Sequence, residues 1–273
     1  MIEILKSILF GIVQGITEWL PISSTGHMIL VNEFVKLDVS PEFWEAFLVM
    51  IQFGSILAVV LIFWKKIFPF DFKSKEVIKK DIFTLWFKIV VACIPAIVIG
   101  MPFDDTFEAL FYNYRCVAIA LIVFGILFII IENRNKKTTP KITDLSQVTY
   151  KMAFIIGLWQ LVAAIFPGTS RSGSTIIGAL LLGISRTVAA EFTFFLAIPV
   201  MFGASLLKLL KFGLAFSASE WTILLVGMVV AFAVSVLVIQ FLMGYIKKHD
   251  FKVFGWYRIV LGVIVLAYFM LAA

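Results

Sequence analysis

Leu20-Pro-Ile-Ser-Ser-Thr-Gly-His27 interrupts one apolar stretch of this 273-residue chain, and Phe166-Pro-Gly-Thr-Ser-Arg-Ser-Gly-Ser-Thr175 interrupts another. The interruptions are copies of each other. Gly11, Gln14, Pro21, Ser23 and Ser24 stand 146 positions before Gly157, Gln160, Pro167, Thr169 and Ser170. Polar backbone and side chains are tolerated inside hydrocarbon only where they are buried in protein or line a wet cavity, so the two breaks are expected to mark the working site.

The surroundings of the breaks say what kind of chain carries them. It is 62% hydrophobic and 15% charged, whereas soluble domains are roughly 45–50% apolar and about 25% charged. An integral membrane protein is implied. Runs such as Val117 to Ile131 are continuously apolar, unlike the ~10-residue alternating segments of a β-barrel. The class is therefore all-α and polytopic. The first apolar run leads into a proline and a polar cluster rather than a small-residue cleavage site, so it is expected to stay in the mature protein. Cys93 and Cys116 stand singly in apolar runs and read as packing residues. The net charge of +6 reflects Lys and Arg gathered in short loops, a matter of topology rather than nucleic-acid binding.

Six full spans are expected near 44–64, 83–102, 115–132, 191–210, 220–243 and 254–271. The broken segments, about 4–35 and 150–186, read as pairs of half-length helices, each half too short to cross ~30 Å of hydrocarbon. They should enter and leave on one side as re-entrant helix-loop-helix hairpins. Residues 1–273 thus form one membrane domain of two halves, 1–135 and 148–273, each a hairpin followed by three spans. Tyr114-Arg115 and Tyr257-Arg258 repeat between the halves.

Loop charge orients the chain. Residues 65–81 carry Lys65, Lys66, Lys73, Lys75, Lys79 and Lys80, and residues 134–151 carry Arg134, Lys136, Lys137, Lys141 and Lys151; both loops are expected to be cytoplasmic. The loop with Lys247, Lys248 and Lys252 joins them, while 103–114, with Asp104, Asp105 and Glu108 and no Lys or Arg, lies outside. Both termini then fall outside, and the halves are inserted from opposite faces, an inverted-topology repeat whose broken helices meet at a ligand site near the midplane. Lys208 and Lys211, at the external end of a span, run against this assignment.

Gln14 and Glu18 share a helix face. Ser23, Ser24, Thr25, Thr169, Ser170 and Ser172 are natural caps for the half-helices that follow, with Gly168 and Gly173 allowing a tight backbone and Arg171 among them. Two helix starts, several hydroxyls and a guanidinium suit a multiply charged oxyanion, phosphate above all. The structural alternative for Glu18 and Arg171 is a buried ion pair, and for Gln14 a hydrogen-bonded bridge between helices.

Gln14-Gly-Ile-Thr-Glu18, Leu20-Pro-Ile-Ser-Ser-Thr-Gly-His27, Gln52-Phe-Gly-Ser-Ile-Leu-Ala58 and Pro167-Gly-Thr-Ser-Arg-Ser-Gly-Ser-Thr175 closely resemble the undecaprenyl-diphosphate phosphatase, or bacitracin-resistance protein, family over essentially the full length. The resemblance implies a lipid phosphatase of the bacterial plasma membrane, with its site on the extracytoplasmic side. It would remove the terminal phosphate of a polyprenyl diphosphate and so recycle the lipid carrier of cell-wall synthesis. A divalent cation, Mg²⁺ or Ca²⁺, is implied, held by Glu18 and Gln14; Gln14 stands where many members have Glu, and an amide is the poorer ligand for a hard cation. Ser24 is the preferred nucleophile with His27 as its base; the rival assignment makes His27 the nucleophile. Arg171 would grip phosphate, with Ser23, Thr25, Gly26, Thr169, Ser170, Ser172, Gly173 and Thr175 binding substrate. The expected partners are the lipid diphosphate and membrane lipids, no nucleic acid, with a homodimer left open. The competing class is a secondary transporter or a flippase of the lipid carrier, because inverted repeats with broken helices are common there.

Overall fold

A computed structural model describes residues 1–71, 77–136, 138–212 and 216–272, the side chains of 211, 212 and 272 apart. Lys73, Lys75, Lys137 and the side chain of Lys211 lie outside the described residues. In chain order the α-helices are α1 Ile2–Thr17, α2 Ser24–Phe34, α3 Pro41–Ile67, α4 Lys80–Pro95, α5 Asp104–Phe111, α6 Tyr114–Asn135, α7 Tyr150–Ile165, α8 Arg171–Leu181, α9 Arg186–Phe212, α10 Ala218–Tyr245 and α11 Lys252–Ala272. Among the described residues there are isolated β-bridges and no strand.

Among the described residues, six stretches are long and apolar enough to cross a membrane: Pro41–Ile67, Lys80–Phe111, Tyr114–Asn135, Arg186–Leu210, Ala218–Tyr245 and Lys252–Leu271. They match the six expected spans with one change, in the second. Pro95 brings no N–H to the helical ladder, and the chain widens into a π-turn over Ala96–Gly100 and tightens into a 3₁₀ turn over Met101–Phe103. The acidic stretch expected as loop then continues as α5, with Asp104 and Asp105 in its first turn, where a helix favours negative charge.

The two broken segments are half-length helix pairs, α1 with α2 and α7 with α8. In the first pair the far end of α2 returns to the start of α1: Lys6 Nζ donates to the Lys36 carbonyl at 2.6 Å, and the Asp38 N–H donates to Glu3 Oε2 at 2.9 Å. In the second, the turn after α8 returns to the chain that leads into α7, with the N–H groups of Lys141 and Ile142 donating to the Gly183 carbonyl at 2.9 and 3.2 Å.

Packing ties the two halves of the chain together. α1 lies along α10, α7 along α4, α3 along α9 and α6 along α11. Glycine makes two of these approaches possible at positions 146 apart. A Cβ on Gly11 would stand 2.7 Å from the Gly227 carbonyl oxygen of α10, and one on Gly157 would overlap the Ala92 carbonyl of α4.

Ionic contacts sort the loops by face. Lys66 holds Glu191 at 2.8 Å, and buried Glu132 accepts from Arg186 and from the Phe251 N–H, so the ends of α3, α6 and α10 gather with the start of α9. On the other face Lys208 is paired with Glu45 at 2.8 Å.

Candidate active site

Ser23 and Ser170 are the two non-glycine residues with positive φ among the described residues, at 71° and 69°. Each is the N-cap of the following half-helix: Ser23 Oγ accepts from the Gly26 N–H at 3.4 Å, and Ser170 Oγ accepts from the Gly173 N–H at 3.1 Å. Such backbone costs about 1–3 kcal/mol per residue and persists where the surroundings impose it, commonly at functional sites. The two caps are 147 apart, not 146. The second break has one more residue between its proline and its cap, and it takes the turn at Gly168, φ +90°, packed on the Val117 backbone. Ser23 is therefore the counterpart of Ser170, and Arg171 occupies the place of Ser24.

Glu18 is the hub. Its Oε2 accepts from Gln14 Nε2 and from Ser24 Oγ, both at 3.0 Å, and its Oε1 accepts from Arg171 Nη2 at 3.0 Å. Ser172 Oγ donates to the Glu18 backbone carbonyl at 3.2 Å. Residues from the two breaks, 153 positions apart, thus meet at one carboxylate. Arg171 Nη1 also donates to the Thr193 carbonyl of α9 at 3.3 Å. The second half has no such centre: Gln160 matches Gln14, but Ala164 stands where Glu18 would be, and the buried Gln160 amide has no hydrogen-bond partner among the described residues.

A cavity of about 210 Å³ opens over this hub, lined by Glu18, Ser24, Thr25, Gln52, Ser170, Arg171 and Ser172 on its polar side and by Val200, Met201 and Ala204 of α9 among its apolar residues. Of the residues expected to bind substrate, Thr25, Ser170 and Ser172 line it. Ser23, Gly26, Thr169, Gly173 and Thr175 do not; they lie behind the residues that do. Thr175 Oγ1 donates to the Arg171 carbonyl at 2.9 Å and meets Thr193 Oγ1 at 2.9 Å, so it braces the turn that presents Arg171.

The expected Ser24–His27 pair is not formed. His27 Nδ1 lies 2.7 Å from the Ser23 carbonyl, which can only accept, so Nδ1 carries the proton; in the neutral ring Nε2 then accepts from the Tyr257 hydroxyl at 2.7 Å. The reason is that both ring nitrogens are already engaged, one by the Ser23 carbonyl of the same turn and the other by Tyr257 of α11. Ser24 turns to Glu18 instead.

Arg258 and Tyr257 carry roles that the motif reading missed. Arg258 is fully buried in α11 and donates to carbonyls of both breaks, Pro21 at 3.2 Å, Gly168 at 3.0 Å and Thr169 at 2.7 Å. The signal was present in the sequence, because an arginine within an apolar span is expensive and marks function or pairing. Arg115, its sequence counterpart, is exposed at the start of α6 and donates to Tyr114.

No three His, Cys, Asp or Glu side chains among the described residues come together as a metal site. Glu18 and the Gln14 amide oxygen offer one carboxylate and one carbonyl. Oxygen donors of this kind suit a hard cation such as Mg²⁺, although the Gln14 NH₂ rather than its oxygen faces Glu18 here, so the amide would have to turn.

The family described as Bacitracin resistance protein BacA matches residues 7–264. The chain is 68% identical over 269 residues to an undecaprenyl-diphosphatase of Desulfitobacterium hafniense, covering 98% of this chain and 97% of the relative. It is 64% identical over 270 residues to undecaprenyl-diphosphatase 1 of Clostridium acetobutylicum, covering 99% and 98%. To an undecaprenyl-diphosphatase of Enterococcus faecalis it is 62% identical over 267 residues, covering 97% and 96%. With the family matched over nearly its whole length, the chain belongs to the bacitracin resistance protein BacA family.

Proposed function

We propose that this membrane protein hydrolyses undecaprenyl diphosphate to undecaprenyl phosphate and inorganic phosphate, returning the lipid carrier to cell-wall synthesis and opposing bacitracin. One observation carries the mechanism: two strained serine caps bring two helix N-termini to a single cavity that also holds Ser24, Glu18 and Arg171. Helix starts and a guanidinium bind phosphate, and phosphoryl transfer needs mainly positioning and charge neutralisation.

Ser24 Oγ attacks the terminal phosphorus, and its proton passes to Glu18, the carboxylate it already faces. The bond to the bridging oxygen breaks and undecaprenyl phosphate leaves; water then cleaves the phosphoserine. Arg171 turns from Glu18 to the nonbridging oxygens, which it can hold as a fork. His27 holds the Ser23 carbonyl and so the cap that presents Ser24. A divalent cation, Mg²⁺ or Ca²⁺, held through Glu18 and Gln14, would neutralise charge on the diphosphate. The lipid tail lies along the apolar wall at Val200, Met201 and Ala204.

The two hairpins are read as re-entrant and inserted from opposite faces, with the cavity open to the extracytoplasmic side of the bacterial plasma membrane. Their outer ends lying together and the reciprocal contacts at Gly11 and Gly157 support this reading. The test is phosphate release from C55 diphosphate by purified protein in liposomes, with and without chelator, alongside a lipid translocation assay. Substrate-trapped Ser24→Ala and His27→Ala are searched for phosphorylated side chains. Phosphate release by the wild-type protein is expected, with phosphoserine found in His27→Ala and absent from Ser24→Ala. Phosphohistidine in Ser24→Ala overturns the nucleophile, and translocation without release overturns the phosphatase.

A further inference from the structure

Arg258 is a buried cation without an anion. It is completely enclosed, and among the described residues it forms no ion pair. Four backbone carbonyls surround the guanidinium instead: Pro21 of the first break, Gly168 and Thr169 of the second, and Leu121 of α6 at 3.5 Å. The Phe124 ring lies below it at 5.8 Å. Nη1 sits so close to the first turn of α8 that a Cβ on Gly173 would be 2.9 Å away.

That last contact sets a positive side chain beside the positive end of a helix. Burying an ion is already costly, and carbonyl dipoles offset only part of the penalty. A neutral donor could have joined the same carbonyls without that penalty. The arrangement becomes favourable when a multiply charged anion occupies the adjoining cavity, whose wall is formed by Ser170, Arg171 and Ser172. The carbonyls held by Arg258 are also kept from turning toward that anion, which they would repel.

We propose that Arg258 is a positioning residue of the phosphatase reaction: one guanidinium fixes the two breaks relative to each other and adds uncompensated positive charge behind the diphosphate site. This rests on the phosphatase reading given above. It separates from a purely structural role because it predicts loss of turnover per folded molecule.

The experiment compares wild type with Arg258→Lys, Arg258→Gln and Arg258→Ala, measuring phosphate release from C55 diphosphate and thermal melting in detergent. Lys keeps the charge but cannot reach carbonyls of both breaks, and Gln keeps part of the staple without charge. Displacement of reacting groups by an ångström lowers rates by about 100-fold, so kcat per folded molecule is expected to fall by about that factor in both, with KM changed far less. Added guanidinium ion is expected to restore turnover to Arg258→Ala, while urea, the same shape without charge, does not. If the Ala variant does not fold, the Lys and Gln variants carry the test. Wild-type kcat in either of them, or rescue by urea equal to rescue by guanidinium, overturns the proposal. A wild-type protein that releases no phosphate overturns the phosphatase reading instead.

Discussion

Replacing Glu18 by Gln removes one charge at nearly constant shape, and the structure says what must follow. The carboxylate accepts from Gln14, Ser24 and Arg171, with its side chain 7% exposed and that of Arg171 15% exposed. An amide has one acceptor oxygen. If the oxygen faces Arg171, the NH₂ group confronts the Gln14 NH₂ and cannot accept from the Ser24 hydroxyl; if the oxygen faces those two, the NH₂ confronts the guanidinium. Breaking a fully buried pair by removing one member costs about 3–5 kcal/mol. The remaining bond to the Thr193 carbonyl and the partial exposure of Arg171 bring the stability loss to about 1–3 kcal/mol. Turnover suffers more, because Ser24 loses the group that takes its proton, a contribution of about 10²–10⁴-fold.

Phosphate release from C55 diphosphate and thermal melting in the same detergent measure the two effects separately. Glu18→Gln/Arg171→Gln removes the stranded cation as well, so it is expected to melt above Glu18→Gln while remaining as inactive. A Glu18→Gln protein keeping more than about a tenth of wild-type kcat would refute the placing of Glu18 at the centre of the chemistry.

Four further outcomes are expected. Arg171→Lys keeps the charge but loses the fork, and a lost charge-assisted contact of about 1.5–3 kcal/mol predicts at least ~10-fold slower phosphate release; near-normal turnover contradicts its role. Gly157→Ala drives a methyl into the Ala92 backbone and is expected to destabilise by about 1–3 kcal/mol. Gly203→Ala, with nothing within 4 Å of the new carbon, is expected to be neutral or to gain up to about 1 kcal/mol of helix propensity; denaturation curves for both decide. Ser23→Ala should lose about 0.5–2 kcal/mol of cap, whereas Ser23→Gly loses only tenths and relieves the positive φ. Equal melting of those two variants would show that the cap is not under strain.

The six crossings and the two interrupted pairs were legible because their determinants are local. Apolar length, proline and capping hydroxyls act within a few residues, so Pro41–Ile67 and the flanks of Ser23 read directly from the chain. Glu18, Arg171 and Ser24 were also legible as a group, since the breaks that carry them repeat. The bend at Pro95 was not, because a proline inside an apolar run does not say whether the chain stops or continues as a wider turn and then as α5.

What the amino-acid order alone determined is the membrane class, the six long apolar stretches and the two hydroxyl-rich breaks, all set by residue type and short spacing. Only the tertiary structure decided which groups meet: Ser24 on Glu18 rather than on His27, His27 on Tyr257, Ser23 equivalent to Ser170 through the extra turn residue Gly168, and Arg258 between the breaks. His27 meets Tyr257 and Arg258 meets Pro21 across more than two hundred residues, Ser24 reaches Glu18 by the way the first break bends, and the cap register turns on one inserted backbone unit; none of these leaves a periodic trace in the sequence.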